Sequence, residues 1–321
     1  MTWWRATAAM FAALAALACQ AQSYPQRTVR LIVPFAAGGT TDAIGRVFAA
    51  GLGERLGQPV MVENRGGAGG TLGAEVAARS GPDGYTLLLG SVETFGMTYA
   101  DAKRLPYNPE QDLAPVALVA RAPNAFVVHA AVRAATLAEL IELARANPGK
   151  LRYGSPGIGT NVHISGELFK RRFGLDMPHV PYKGGGAAIN DVASGQIEVL
   201  IGGVASVAPR ARAGQVRALA VTGAARTPLL PDAPTMAEAG VSDFVLGPVF
   251  GVLVPGGTPG EVVGRLERDT VAATRQAEFR RRLVDVGAEE VEPLTGAAFG
   301  AYMRAEARRW RELAAAAGMQ E

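Results

Sequence analysis

The sequence predicts an α/β protein of two domains with a ligand cleft between them, and two observations carry that prediction. Short apolar runs stop at glycine clusters and restart as helices at four places in the chain. An ordinary strand-to-helix unit closes with one glycine or none, so four such junctions point to loops that must come close to something. The chain, with 321 residues of which 49% are hydrophobic and 19% charged, is also long enough to build two cores.

The first junction sets the pattern. Leu31, Ile32 and Val33 form an unbroken apolar run, which suits a strand covered on both faces. Phe35, Ala37, Gly38 and Gly39 follow, and Thr40, Thr41 and Asp42 are capping residue types for a helix beginning near Ala43. A helix placed this way points free N–H groups past the strand end, where they attract an anion. The pattern recurs where Val60 to Val62 precede Gly66, Gly67, Gly69 and Gly70. It recurs again where Leu151 to Tyr153 precede Ser155, Gly159, Thr160 and Asn161 and a helix carrying His163. The fourth case is His179 to Tyr182, followed by Lys183, Gly184 and Gly185. Open α/β sheets bind ligands beyond the carboxyl ends of their strands, so the four loops are read as walls of one cleft for a small acid.

The remaining elements follow in order. Asp83 and Gly84 turn into a strand from Tyr85 to Ser91, whose end adds Ser91 and Thr94 as candidate contacts. Two strand-like runs, Pro115 to Ala120 and Ala125 to His129, flank a first crossing between domains. Thr136 to Glu139 is a capping box opening a helix with Leu137, Leu140, Ile141 and Ala144 on one face. Ile197 to Gly203 is a strand ending in Gly202 and Gly203, and the strand from Val216 to Thr222 leads to the return crossing. Domain 1 is therefore expected to hold residues 24–122 and 222–321, and domain 2 residues 123–221. Thr235 to Glu238 predicts a capped helix, and Phe250 to Val254 is the clearest part of an apolar strand. Thr258 to Glu261 predicts another capping box, with Pro259 at the first helical position. A last helix is expected from about Thr295 to Ala317, with Phe299, Tyr302, Trp310 and Leu313 on its covering face.

Residues 1–21 read as a signal peptide, with Arg5 before an apolar stretch from Ala6 to Ala18 that is too short to span a membrane. The mature chain is thus expected in the periplasm. Cleavage after Ala21, which discards the single cysteine Cys19, is favoured over the alternative in which Ala16 to Cys19 act as a weak lipobox and Cys19 is lipidated. A formal charge of +3, without a basic run interleaved with aromatics, excludes a nucleic-acid interface. His129, His163 and His179 are not spaced as a metal pair, and neither a P-loop nor a dinucleotide fingerprint occurs. No metal, no cofactor and no catalytic residue are expected.

Several motifs stand together in a familiar order. They are Pro34 to Asp42, Val62 to Arg65, Pro82 to Leu88, His179 to Gly184, Leu219 to Thr222 and Leu230 to Thr235. Across the whole mature chain this order resembles the substrate-binding receptors of tripartite tricarboxylate transporters, the TctC/Bug family. The resemblance implies a periplasmic binding protein of type II, the Venus flytrap fold, which holds a small carboxylate and works with membrane permease subunits. It implies a receptor rather than an enzyme, and a monomer is expected. The loops matching Phe35 to Asp42, Ser155 to His163 and Lys183 to Gly185 would bind the carboxylate, largely through main-chain N–H groups. Gly202, Gly203 and Phe250 complete the expected site. Gly202 stands where many members carry an aspartate, Val249 where a tryptophan is frequent, and Phe95 to Tyr99 lack the usual asparagine-proline. The pocket is therefore expected to prefer a dicarboxylate or an aromatic acid to an amino acid. Two alternatives stay open from the sequence: a periplasmic sensing subunit for a membrane signalling protein, and an enzyme on the same fold.

Overall fold

The computed structural model describes residues 24–91 and 105–319. The predicted signal peptide, Cys19, Thr94 and the segment Phe95 to Tyr99 lie outside the described residues. Apolar runs near the start of the chain form β1 (Val29–Val33), β2 (Val60–Asn64), β3 (Thr86–Ser91) and β4 (Leu113–Arg121), and β10 (Val249–Pro255) joins them from far along the chain. Their order is β2-β1-β3-β10-β4, with β1 parallel to β2 and β3, and β10 antiparallel to both its neighbours.

A second sheet repeats the arrangement with β5 (Asn124–His129), β6 (Tyr153–Ser155), β7 (His179–Pro181), β8 (Val199–Gly203) and β9 (Val216–Val221) in the order β7-β6-β8-β5-β9. Here β5 is the antiparallel strand. In each sheet the antiparallel strand is the one reached by crossing from the other. The crossings lie side by side: Ala122 N–H donates to Pro248 O at 3.1 Å, and Thr222 N–H to Asn124 O at 2.8 Å.

Helices cover both faces of both sheets, which is why the central strands read as continuous apolar runs. On the first sheet, Ile44 and Phe48 of α1 (Thr40–Leu56), Leu266 of α7 (Gly260–Thr274) and Phe279 of α8 (Ala277–Asp285) share one core. Ala74 and Ala77 of α2 (Thr71–Ala78) pack on the opposite face. On the second sheet, α3 (Leu137–Ala146) and α4 (Asn161–Phe173) pack on one face, and α5 (Gly185–Ala193) and α6 (Val204–Arg212) on the other. The last helix, α9 (Gly296–Ala316), reaches both cores, placing Phe299 and Met303 in the first and Trp310 and Ala314 in the second. Met236, Val241, Phe244 and Leu246, which precede β10, also pack against the second sheet.

Three sequence expectations change in detail. The residue that caps α1 is Gly39, with Thr40, Thr41 and Asp42 inside the first turn. Thr235 and Glu238 exchange the expected bonds, at 3.1 and 2.8 Å, but no helix follows because Gly240 takes φ +86° and ends the turn. Thr258 does not cap α7, since its hydroxyl donates to Pro255 O at 2.7 Å and Pro259 holds the capping position. The box at Thr136 does form, with Glu139 N–H donating to Thr136 Oγ1 at 3.1 Å and Ala135 N–H to Glu139 Oε2 at 2.7 Å.

Gly251, in the middle of β10, faces the fully buried Phe299, and a Cβ there would lie 2.0 Å from the ring and 2.9 Å from Ala117 O. Gly251→Ala is expected to cost about 1–3 kcal/mol through overpacking. The check is a urea transition, where a lower midpoint at unchanged slope is expected. An unmoved midpoint would show that Phe299 has another place to go.

Candidate functional site

The glycine loops at the strand ends of the two sheets meet face to face. A Cβ at Gly203 would lie 1.9 Å from Thr40 Oγ1, one at Gly186 2.6 Å from Ala37 O, and one at Gly66 3.2 Å from Lys183 O. Gly184, at φ +144°, would place a Cβ 3.1 Å from the Ala36 nitrogen. Each of these glycines has main chain or a short side chain of the opposing sheet where a larger residue would need its own. The sequence needs glycine on both sides because backbone meets backbone there.

Between the loops is a cavity of about 50 Å³. Nine of the predicted residues line it: Phe35, Gly39, Thr40, Ser91, Thr160, Asn161, Gly185, Gly203 and Phe250. Six others line it as well: Thr41, Pro156 and Val162, which lie inside the predicted binding loops without being singled out there, and Asn124, Ser206 and Pro248, which the sequence does not point to. Thr41, Pro156 and Val162 adjoin predicted residues, and Ser206 is one turn beyond Gly203. Asn124 and Pro248 belong to the two crossings, which the sequence marks only as passages between domains.

The helices α1, α4, α5 and α6 begin at Gly39, Thr160, Gly184 and Gly203, so four N-termini converge on this cavity. Its described lining carries no charged side chain. The polar groups are fixed in place: Asn124 Nδ2 donates to Asn161 Oδ1 at 2.8 Å, Thr160 Oγ1 to Gly157 O at 2.8 Å and Ser206 Oγ to Gly203 O at 2.9 Å. Thr40 Oγ1 is buried here with no hydrogen-bond partner among the described residues. Buried polar atoms are usually paired, so this hydroxyl is well suited to meet a ligand.

The other predicted residues stand behind or beside the lining. Ala37 and Gly38 are exposed next to it, and the Lys183 side chain is exposed. Gly202 is buried against Leu200 and Val207, and Val249 packs in the core with Ile32. Ser155 ends β6, Gly159 and Gly184 sit within the loops, and His163 lies in the first turn of α4, its Nδ1 accepting from Gly159 N–H at 3.2 Å. The Asp42 carboxylate accepts from Gly38 N–H at 3.0 Å, Asn64 Nδ2 at 3.1 Å and Arg46 Nε at 3.1 Å. Burial alone would raise its pKa, but the Gly38 amide, Arg46 and Asn64 outweigh that and hold it below the usual carboxylate range. Asn64 Nδ2 also donates to Phe35 O at 3.1 Å, so Asp42 and Asn64 together pin the first loop.

Two sheets of one topology, joined by adjacent crossings and closed on a cavity of helix N-termini, define a periplasmic binding protein of the Venus flytrap class. The sequence profile of the tripartite tricarboxylate transporter family receptors matches residues 44–319, and the chain belongs to that family. Among solved structures it is similar to the periplasmic binding protein BugD, at 34% identity and TM-score 0.85, covering 92% of this chain and 99% of that one. It is similar to a Rhodopseudomonas palustris protein with adipate, at 36% identity and TM-score 0.85, covering 92% and 99%. It is also similar to MatC from Rhodopseudomonas palustris with bound malate, at 34% identity and TM-score 0.83, covering 90% and 99%.

The Gly203 contact makes a testable point. Gly203→Ala is expected to wedge the loops apart and weaken acid binding about tenfold or more, in line with a cost of about 1.4 kcal/mol per decade. Titration calorimetry of the variant reads this directly. Unchanged affinity would mean that the bound state does not bring Gly203 against Thr40.

Proposed function

We propose that this protein is an extracytoplasmic solute-binding receptor that captures a small carboxylate in the cleft and presents it to the membrane permease of a tripartite tricarboxylate transporter. The single observation that carries this reading is the convergence of four helix N-termini on a cavity whose described lining holds no charged side chain. Such a site offers N–H donors and positive dipole ends to an anion and nothing that would repel one. A hydrogen bond to a charged group contributes roughly 1.5–3 kcal/mol net. About four of them supply the ~8 kcal/mol of a micromolar complex, less the cost of closing and ordering the loops.

The site residues are those that line the cavity, with Thr40, Asn124, Thr160, Asn161 and Ser206 as the side-chain contacts. Phe35, Val162, Pro248 and Phe250 supply an apolar wall beside them. That combination suits a dicarboxylate with a short hydrocarbon body or an aromatic acid. An amino acid fits less well, because its ammonium group would find no carboxylate in the described lining. Adipate and malate, the acids named with two of the similar structures, belong to the favoured class. The two sheets, each with the helices packed on it, would form two lobes that part about the crossings to admit the ligand; Met236 to Leu246 and the Trp310 end of α9, expected from the sequence in domain 1, pack in the second core and would move with the second sheet. The protein acts by binding and release, with no turnover of the acid. It is exported to the periplasm by residues 1–21, with Cys19 removed.

Thermal melting of the mature protein against mono-, di- and tricarboxylates, aromatic acids and amino acids tests the reading. Ligand that binds only the folded state raises the midpoint with its concentration over its dissociation constant. A rise confined to one class of acid, with a dissociation constant from high nanomolar to micromolar, is expected. No rise with any acid, after unfolding and refolding to strip retained ligand, would overturn it.

A further inference from the structure

Behind the cleft lies a group of side chains that the binding site itself does not use. Three rings stack in a row across β6, β7 and α4. Tyr153 and His179 have centroids 4.8 Å apart at 29°, and His179 and His163 have centroids 4.0 Å apart at 17°. The loop that supplies Pro156, Thr160 and Asn161 to the cavity is tied to this stack at two points. His163 Nδ1 accepts the Gly159 N–H at 3.2 Å, and His179 Nε2 lies 2.7 Å from Ser155 Oγ. That hydroxyl also accepts from Gly157 N–H at 3.2 Å.

We propose that the stacked His163 and His179 are the positioning residues of the cleft, which hold the 155–161 loop in its binding form while neutral and release it when protonated. The functional half of this inference rests on the carboxylate-receptor reading above; the structural half does not. An Nδ1 that accepts an amide N–H carries no proton of its own. A proton there would set donor against donor at Gly159 and free the loop on the cleft side. A second proton on His179 would place two cations in one stack. The titratable and charged groups that face the pair are Tyr153 on β6 and Glu167 and Lys170 on α4. Glu167 is already engaged, accepting from Tyr153 Oη at 2.6 Å and from Lys170 Nζ at 2.8 and 2.9 Å. Burial, the opposed histidine and Lys170 pull His179 down to about 3. Burial also lowers His163, with Glu167 opposing and Lys170 assisting. Both rings are therefore neutral at neutral pH. Below the unfolded value of 6.5 the unfolded chain binds protons that the native stack refuses, so native stability falls as pH drops from there towards the folded values.

Two measurements test this. In the ligand-free protein, ¹⁵N NMR from pH 8 to 4.5 is expected to show His163 Nδ1 unprotonated at pH 7.5. The Gly159 amide is expected to shift with the same midpoint as that ring. A Gly159 signal indifferent to His163 titration, or a protonated Nδ1 at pH 7.5, would overturn the proposal. In calorimetry with malate and adipate at pH 8, His163→Ala is expected to bind about tenfold more weakly, the loss of about one hydrogen bond. His163→Asn, whose Oδ1 stands near the place of Nδ1, is expected to recover most of that. The ratio of wild-type to Asn-variant affinity, in which protonation of the acid cancels, is expected to fall across the pH range in which NMR shows His163 taking up its proton. A flat ratio, or an Asn variant as weak as the Ala variant, would overturn the coupling. If neither acid binds at any pH, the preference for this class of acid fails while the NMR result still decides the role of the stack.

Discussion

Everything about the cleft depends on main chain approaching main chain. The loops between β1 and α1 and between β7 and α5 belong to different sheets, yet Gly186 stands against the Ala37 carbonyl and Gly184 against the Ala36 nitrogen. Side chains on both sides would hold the sheets apart by their own thickness. With glycine there, the helix N-termini of the two lobes come close enough to serve one small ligand, so their N–H groups can converge instead of facing water separately. Glycine costs conformational entropy on folding, and here that cost yields geometry that no other residue allows.

The charged residues nearest the cleft are placed so that they organise its loops without entering it. Asp42 binds the Gly38 amide and Asn64 from behind, and its charge is balanced by Arg46 at 3.0 Å on the outer side of α1. Glu167 and Lys170 pair with each other at 2.8 Å behind the histidine stack. An acidic group in the cavity would repel an anion, so neutral Thr160 and Asn161 line it while the ion pairs stand outside.

Much of this was legible in the sequence because the physics is local. A strand, a glycine cluster and a capping residue are neighbours in the chain, so the junctions at Gly39, Thr160 and Gly185 could be read directly, whereas the junction at Gly66 to Gly70 does not line the cavity and the helix that begins after Gly203 was not expected. Asn124 and Pro248 could not, because they line the cavity only through the pairing of two crossings more than a hundred residues apart. The stack of His163 on His179 was illegible for the same reason: it needs β7 beside β6 and α4 above them, and spacing along the chain carries no trace of ring contact. The helix predicted at Thr235 failed differently. Its capping bonds are local and present, but Gly240 turns left-handed and Val241 is drawn into the second core, so tertiary packing overrode the start signal.

On the receptor reading, a cavity that would bind an anion through amides rather than arginines also accounts for how it can stand without ligand. An arginine in such a place would leave a desolvated charge unpaired whenever the ligand left, a penalty of several kcal/mol per ion in protein interiors. Amide N–H groups at helix starts would lose far less, since water would satisfy them if the lobes part as proposed. The receptor reading requires that loss to be small, because a carrier must let go as readily as it binds. On that reading the neutral lining, the paired Asn124 and Asn161 amides and the glycine loops answer one requirement, which is an anion site that is ordered in advance and cheap to empty.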